Sequence, residues 1–268
     1  MADRPSSLVA LRLATAVDVA DVIAAARSAG DLDRTSPVGT AGSAALVHWG
    51  GRPGPAAVRA VVDEDGADLL RTELDVGGDG LVAGVARQAG LLVALARHVP
   101  GGVLGVRDLS ARVERDLAWL DRAAAGGTRR PDAVATVVAA AGGRRPGWVR
   151  TQGAARFGVP DLELYGLVAG AEDAAVAALG GVHDALLAGG MAAPLALPDG
   201  TAVRLVPVLE AWSRLPLDWP GIGRAGEVRG PGLDGPRATL SVLHRARLGR
   251  HRLDLAGVTA RLGPVSPR

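Results

Sequence analysis

A chain of 268 residues that is 48% hydrophobic has the length for one large domain or two modest ones and can bury a sizeable core. Its formal net charge is only +2 although its pI is about 10.1; there is no Lys, so all 30 basic residues are Arg, and the high pI reflects guanidinium chemistry, not a strong positive field. With no Cys, Lys or Asn, the sequence excludes a thiolate nucleophile, a Cys metal site, a disulfide, a Schiff-base or phosphate-loop lysine and an N-glycosylation acceptor.

Aromatics make up only 3% of the chain, so the core must be built from Ala, Val and Leu packed closely. Residues 8–14 read as a strand and 17–29 as a helix, with Val19, Val22, Ile23 and Ala26 on one face and Gly30 ending it. The apolar stretch Leu8 to Val22 is broken by Arg12, Asp18 and Asp21, which argues against a secretory leader. A polar loop is expected at 31–43, a buried strand at 44–50, then two strands flanking the turn Asp63-Glu64-Asp65-Gly66 as a hairpin. A helix is predicted over 81–97 and a strand at 103–108. Ser110 reads as the N-cap of a helix running to about Ala125, with a further short helix at 131–141.

The Gly/Arg/Pro-rich segment 126–147 is read as the connection between an N-terminal α+β half (1–125) and a C-terminal one (148–268), within what is either two units or one compact domain. In the second half, strands are expected at 148–152, 161–168, 201–208 and 238–247. An Ala-rich helix is expected from 172 to 188, a turn at Pro198-Asp199-Gly200, and a Pro/Gly-rich loop holding Trp212 and Trp219. The apolar charge-free runs 133–143 and 185–198 fall short of the ~18 residues that span a bilayer, so the expected location is the cytoplasm, without a membrane partner.

Several familiar constellations are weak or missing. Gly78-x-Gly80-x-x-x-Gly84 followed by a helix and a strand ending in Asp108 superficially resembles a dinucleotide-binding unit. The strand before it alternates Leu70, Thr72 and Leu74 with Arg71, Glu73 and Asp75, which suits a half-solvated strand and not a central parallel one. His48, His98, His183, His244 and His251 show no metal-ligand spacing, and no Ser lies in a Gly-x-Ser-x-Gly elbow. No cofactor or metal is expected. Arg245, Arg247, Arg250 and Arg252 form a basic patch, but no aromatic is interleaved for base stacking, so nucleic acid is not the expected partner.

One motif is dense: Thr151-x-Gly153-x-x-x-Phe157-Gly158-x-Pro160-Asp161-x-Glu163, which holds the chain's only Phe and lies two residues before its only Tyr, Tyr165. Gly153 and Gly158 permit a tight connection, Pro160 sets the start of the next strand, and Phe157 is placed to plug the core beneath the turn. Thr151 is placed to bond the returning backbone, and Arg150, Arg156, Asp161 and Glu163 to pair across the hairpin. The motif resembles that of a family of uncharacterised bacterial proteins carrying a domain of unknown function, in which Thr-x-Gly precedes Phe-Gly-x-Pro, an acidic residue, Leu or Ile, and Glu. The residues matched are Thr151, Gly153, Phe157, Gly158, Pro160, Asp161, Leu162 and Glu163, and the likeness extends loosely over most of the chain. Members of that family often carry His where this chain has Arg150 or Gln152. The resemblance implies a mixed α+β fold and no particular activity.

The expected architecture is therefore α+β, with antiparallel or mixed sheets flanked by helices and room for two similar halves. Binding is assigned to Arg150, Thr151, Arg156, Asp161 and Glu163, and catalysis to no residue. The expected function is a non-enzymatic module that recognises another protein through the 148–165 hairpin. The alternative is an enzyme or sensor for a small anionic ligand, with Arg150 and Arg156 as donors and Asp161 or Glu163 as general acid/base.

Overall fold

The computed structural model describes residues 6–17, 19–28, 32–38, 44–49, 57–62, 69–75, 81–127, 134–139, 141–142, 146–219, 222, 237–245 and 251–262. The fold is α+β. It divides into two compact units: Met1–Ala133 with Arg156–Gly158, and Val134–Ala155 with Val159–Arg268.

The first unit is built on a seven-stranded sheet of order β2-β3-β4-β5-β1-β6-β7, antiparallel at every pairing. Its interior strand β1 (Ser6–Leu13) buries Val9, Leu11 and Leu13 and pairs with β5 (Leu69–Asp75) on one side and β6 (Val103–Asp108) on the other. The alternation read in the sequence of β5 is visible in space: Leu70 and Thr72 are buried and Arg71 between them is exposed. Because antiparallel β1 separates β5 from β6, the dinucleotide-unit resemblance fails: its two strands are not neighbours, and its glycine turn at 76–80 lies outside the described residues.

Helix α1 (Val19–Ser28) and helix α2 (Leu81–His98) supply Val22, Ala25, Ala89, Leu91, Leu92 and Leu95 to the core. Gln88 anchors α2 to the sheet, its buried amide donating to the carbonyls of Ser7 (2.9 Å) and Thr72 (3.1 Å) and to the Thr72 hydroxyl. The expected loop at 31–43 contains a strand, β2 (Leu32–Val38), on the outer edge beside β3 (Ala44–Trp49). Its polar, Pro-containing sequence hides it from pattern reading, and such a sequence suits an edge. The hairpin of β4 (Ala57–Val62) and β5 is present; its expected turn, Asp63 to Gly66, lies outside the described residues.

Ser110 does not cap a helix. Its hydroxyl accepts from the Leu8 N–H at 2.8 Å, tying the end of β6 to β1, and the chain continues into β7 (Val113–Arg115). The cap is Asp116, whose carboxylate accepts from the Trp119 N–H at 2.7 Å and opens α3 (Leu117–Arg122), followed by a π-turn at Ala123–Gly127.

The second unit has a mixed sheet of order β11-β12-β13-β10-β9-β8, with β14 on the far part of β13. The helix expected at 131–141 is instead strand β8 (Ala135–Ala139), antiparallel to β9 (Gly147–Gln152). Thr136, Val137 and Val138 are β-branched, and their stiff side chains outweigh the flanking alanines. Strand β10 (Asp161–Leu167) sits between β9, antiparallel, and β13 (Arg237–Arg245), parallel. Strands β11 (Leu195–Ala196), β12 (Ala202–Pro207) and β14 (His251–Asp254) complete the sheet.

Helix α4 (Glu172–Gly189) buries Ala175, Ala178, Leu179, Val182, His183 and Leu186, a stripe at helical spacing. With the following turn it is the one described helix long and apolar enough to cross a membrane by length and composition; in the fold that stripe is core. The short α5 (Val208–Trp212) and α6 (Leu255–Leu262) pack on β13.

Candidate functional site

The motif forms the β9–β10 hairpin, its turn built from a 3₁₀ helix at Ala154–Phe157. Gly153 and Gly158 adopt φ of 100° and 73°, which only glycine takes without strain, so both are required by the turn. Thr151 bonds the returning strand as its position suggests: its hydroxyl accepts from the Leu162 N–H at 2.8 Å and lies 3.4 Å from the Leu162 carbonyl. Asp161 caps the turn, accepting from the Ala154 N–H at 2.9 Å. Four of the five expected binding residues, Arg150, Thr151, Arg156 and Glu163, are buried; Asp161 is half-buried.

The expected pairing of charges across the hairpin holds only in part. Arg150 lies directly opposite Glu163 in the ladder, its Nε 4.0 Å from the carboxylate. Arg156 does not join them. It belongs to the first unit, fully buried, and its Nη2 donates to Asp108. Asp108 also accepts from the Ala111 N–H at 3.0 Å and lies 3.6 Å from Arg115, whose guanidinium is 5.2 Å from the Trp119 ring centroid. Asp108, which ends the second strand of the dinucleotide-like unit noted in the sequence, is thus the anchor of a buried ion cluster.

The main partner of Glu163 is Arg237, which sequence reading missed. Arg237 stands opposite Asp161 on β13, two positions from the residue opposite Glu163, and donates through Nε (2.7 Å) and Nη2 to one carboxylate oxygen. Its guanidinium lies 5.3 Å from the Trp212 ring centroid, and the Trp212 indole donates to the Tyr165 hydroxyl at 2.7 Å. Val208, Trp212 and Tyr165 form a buried cluster against which Trp148, Leu215, Trp219 and Ile222 pack. Gly166, at φ 76°, marks a register shift in β10, and a Cβ there would stand 2.8 Å from the Trp219 ring. Four of the chain's seven aromatic residues, at 148, 165, 212 and 219, meet here. In so aromatic-poor a chain, that clustering was the signal available in advance.

Burial pushes the Glu163 carboxyl above its ordinary value, and the guanidiniums of Arg237 and Arg150 and the Trp148 indole pull it partly back. Such an enclosed carboxyl is suited to holding strands in register. Among the described residues, no three His, Asp or Glu side chains gather as a metal site. His183, buried on α4, lies 3.0 Å from the Pro160 carbonyl and so braces the hairpin. Of the arginine patch, only backbone is described, at Arg245 and Arg252 in the β13–β14 pair; Arg247 and Arg250 lie outside the described residues. Compared with known proteins, the chain matches no family model, no curated protein and no solved structure.

Proposed function

We propose that the protein is a non-catalytic module that binds another protein, and that it does so by strand addition at β8 instead of through the 148–165 hairpin. The observation that carries this reading is the contrast between two neighbouring strands. The polar residues of the hairpin are turned inward and engaged, whereas β8 is an uncharged edge on which Thr136 and Val138 are exposed. A photo-crosslinking residue placed at Val138 is expected to capture one protein in cells, and the same residue at the more exposed Leu209 none. Adducts at Leu209 with none at Val138 would overturn the reading.

One observation favours a second reading, an enzyme or sensor for a small anionic ligand: Glu163, its pKa raised, lies between two guanidiniums and beside an aromatic cluster. Thermal-shift measurement with phosphorylated metabolites at millimolar concentration tests it. Stabilisation that disappears in Arg237→Gln would favour it over the first reading; no stabilisation counts against it.

A further inference from the structure

A guanidinium is a planar fork of N–H donors that keeps its charge, so a protein that buries one must set acceptors around its rim. Arg237 shows this fold doing so: its Nε and Nη2 both donate to the Glu163 carboxylate, and its face lies over Trp212. Arg156 is treated differently. It has no exposed surface, and its Nη2 donates to Asp108. Its Nε and Nη1, both shielded from solvent, find no acceptor among the described residues. Buried polar groups in folded proteins are nearly always paired, and a donor on a charged group is the costliest to leave without an acceptor.

Asp108 is already committed. Its Oδ1 accepts from Arg156 and from the Ala111 N–H at 3.0 Å, and its Oδ2 lies 3.6 Å from Arg115. Two guanidiniums thus converge on one carboxylate. Arg115 lies over the Trp119 ring and its side chain is 18% exposed, so the cluster reaches solvent on that side. Asp108, Arg115 and Arg156 all belong to the first unit. We infer that Arg156, with Arg115 beside it, receives one small oxyanion, a phosphate or a carboxylate group, next to Asp108. Oxygens of the anion accept from the Arg156 Nε and Nη1, the charge-assisted pairing for which a guanidinium fork is suited, and its charge complements the two guanidiniums that share Asp108. The ligand is small because Arg156 itself has no exposed surface. The site uses none of the residues of the Glu163 cluster or of β8, so it stands independently of both readings above.

The test follows hydrogen exchange of the full chain near neutral pH with inorganic phosphate, with acetate, and with chloride at matched ionic strength. When the oxyanion reaches about ten times its Kd, exchange at the Ala111 amide and at amides of β6 and β7 is expected to slow about tenfold. Chloride should leave those amides unchanged. The slowing should vanish in Arg156→Gln and persist in Arg237→Gln. It should also weaken in Arg115→Gln, a change at a partly exposed side chain that leaves Asp108 paired with Arg156 and so decides the matter if Arg156→Gln fails to fold. Slowing by phosphate alone identifies a phosphoryl ligand, by acetate alone a carboxylate, and by both any small oxyanion; each supports the inference. Exchange that neither anion slows means that water serves Arg156, and overturns it. An equal effect of chloride, or slowing undiminished in both Arg156→Gln and Arg115→Gln, overturns it too. Slowing lost in Arg237→Gln but kept in Arg115→Gln assigns the anion to the Glu163 cluster, which overturns this inference and favours the second reading above.

Discussion

The two units solve one problem in two ways. In the first, Asp108 at the end of β6 faces Arg156 and Arg115, with Arg115 over Trp119. In the second, Glu163 within β10 faces Arg237 and Arg150, with Arg237 over Trp212. Each cluster has one buried carboxylate, two guanidiniums and a tryptophan. They differ in enclosure: Arg156 is fully shielded and bonded by one nitrogen, whereas Arg237 is bonded through two nitrogens and has an aromatic face beside it. The lesson is that buried charge here fixes which strands and segments meet. Replacing one partner should cost most where the orphaned charge has nowhere to turn.

That comparison is broken most directly at Asp108. Asp108→Ala strands the shielded Arg156 and removes the acceptor for Ala111, so the first unit should lose about 3–5 kcal/mol, read by hydrogen exchange at its own amides. Arg156→Met should cost less, because Asp108 keeps Arg115. An equal loss would mean that the second guanidinium contributes nothing. Glu163→Ala should cost the second unit about 2–3 kcal/mol, less than Asp108→Ala costs the first, because Arg237 retains Trp212.

Acid titration sharpens the contrast within the second unit. Glu163 has its folded pKa raised above the ordinary 4.5, so its contribution to stability is complete below that value and is lost as pH rises through the folded pKa. Glu163→Gln should remove that slope. Asp199 has the opposite sign: the Thr201 N–H and hydroxyl hold its carboxyl below the usual 3.8, and its contribution disappears as pH falls through the lowered value. A Glu163→Gln variant whose pH profile matches the parent would rule out titration of this carboxyl.

Smaller effects probe the frame around the Glu163 cluster. Gly166→Ala forces a left-handed φ on a side chain whose Cβ meets Trp219, and should cost about 1–3 kcal/mol in urea unfolding. Thr151→Val should cost about 1 kcal/mol, since it removes the hydroxyl that bonds Leu162 while keeping the shape.

Much of this architecture was legible because its period was clean. Helix α2 and helix α4 show their core stripes directly, and β9 and β10 are announced by the motif between them. The failures have physical causes. Strand β2 is polar because it is an edge, and β8 hides its β-branched centre among alanines. Ser110 looked like a helix cap because its hydroxyl meets a requirement that a local reading cannot see, the N–H of Leu8, 102 residues away. At the site, Thr151 and Asp161 bond neighbours within 11 residues and were read well. Glu163 and Arg156 find their partners 74 and 48 residues away, beyond what any spacing rule reaches.

The aromatic gathering around Tyr165 also makes the molecule its own spectroscopic probe. Trp148, Trp212 and Trp219 lie in the second unit, Trp49 and Trp119 in the first. Light absorbed by the single tyrosine passes efficiently to the indole bonded to its hydroxyl, so the intact second unit emits almost no tyrosine fluorescence. Tyrosine emission that grows on unfolding therefore reports this unit alone, with no label added.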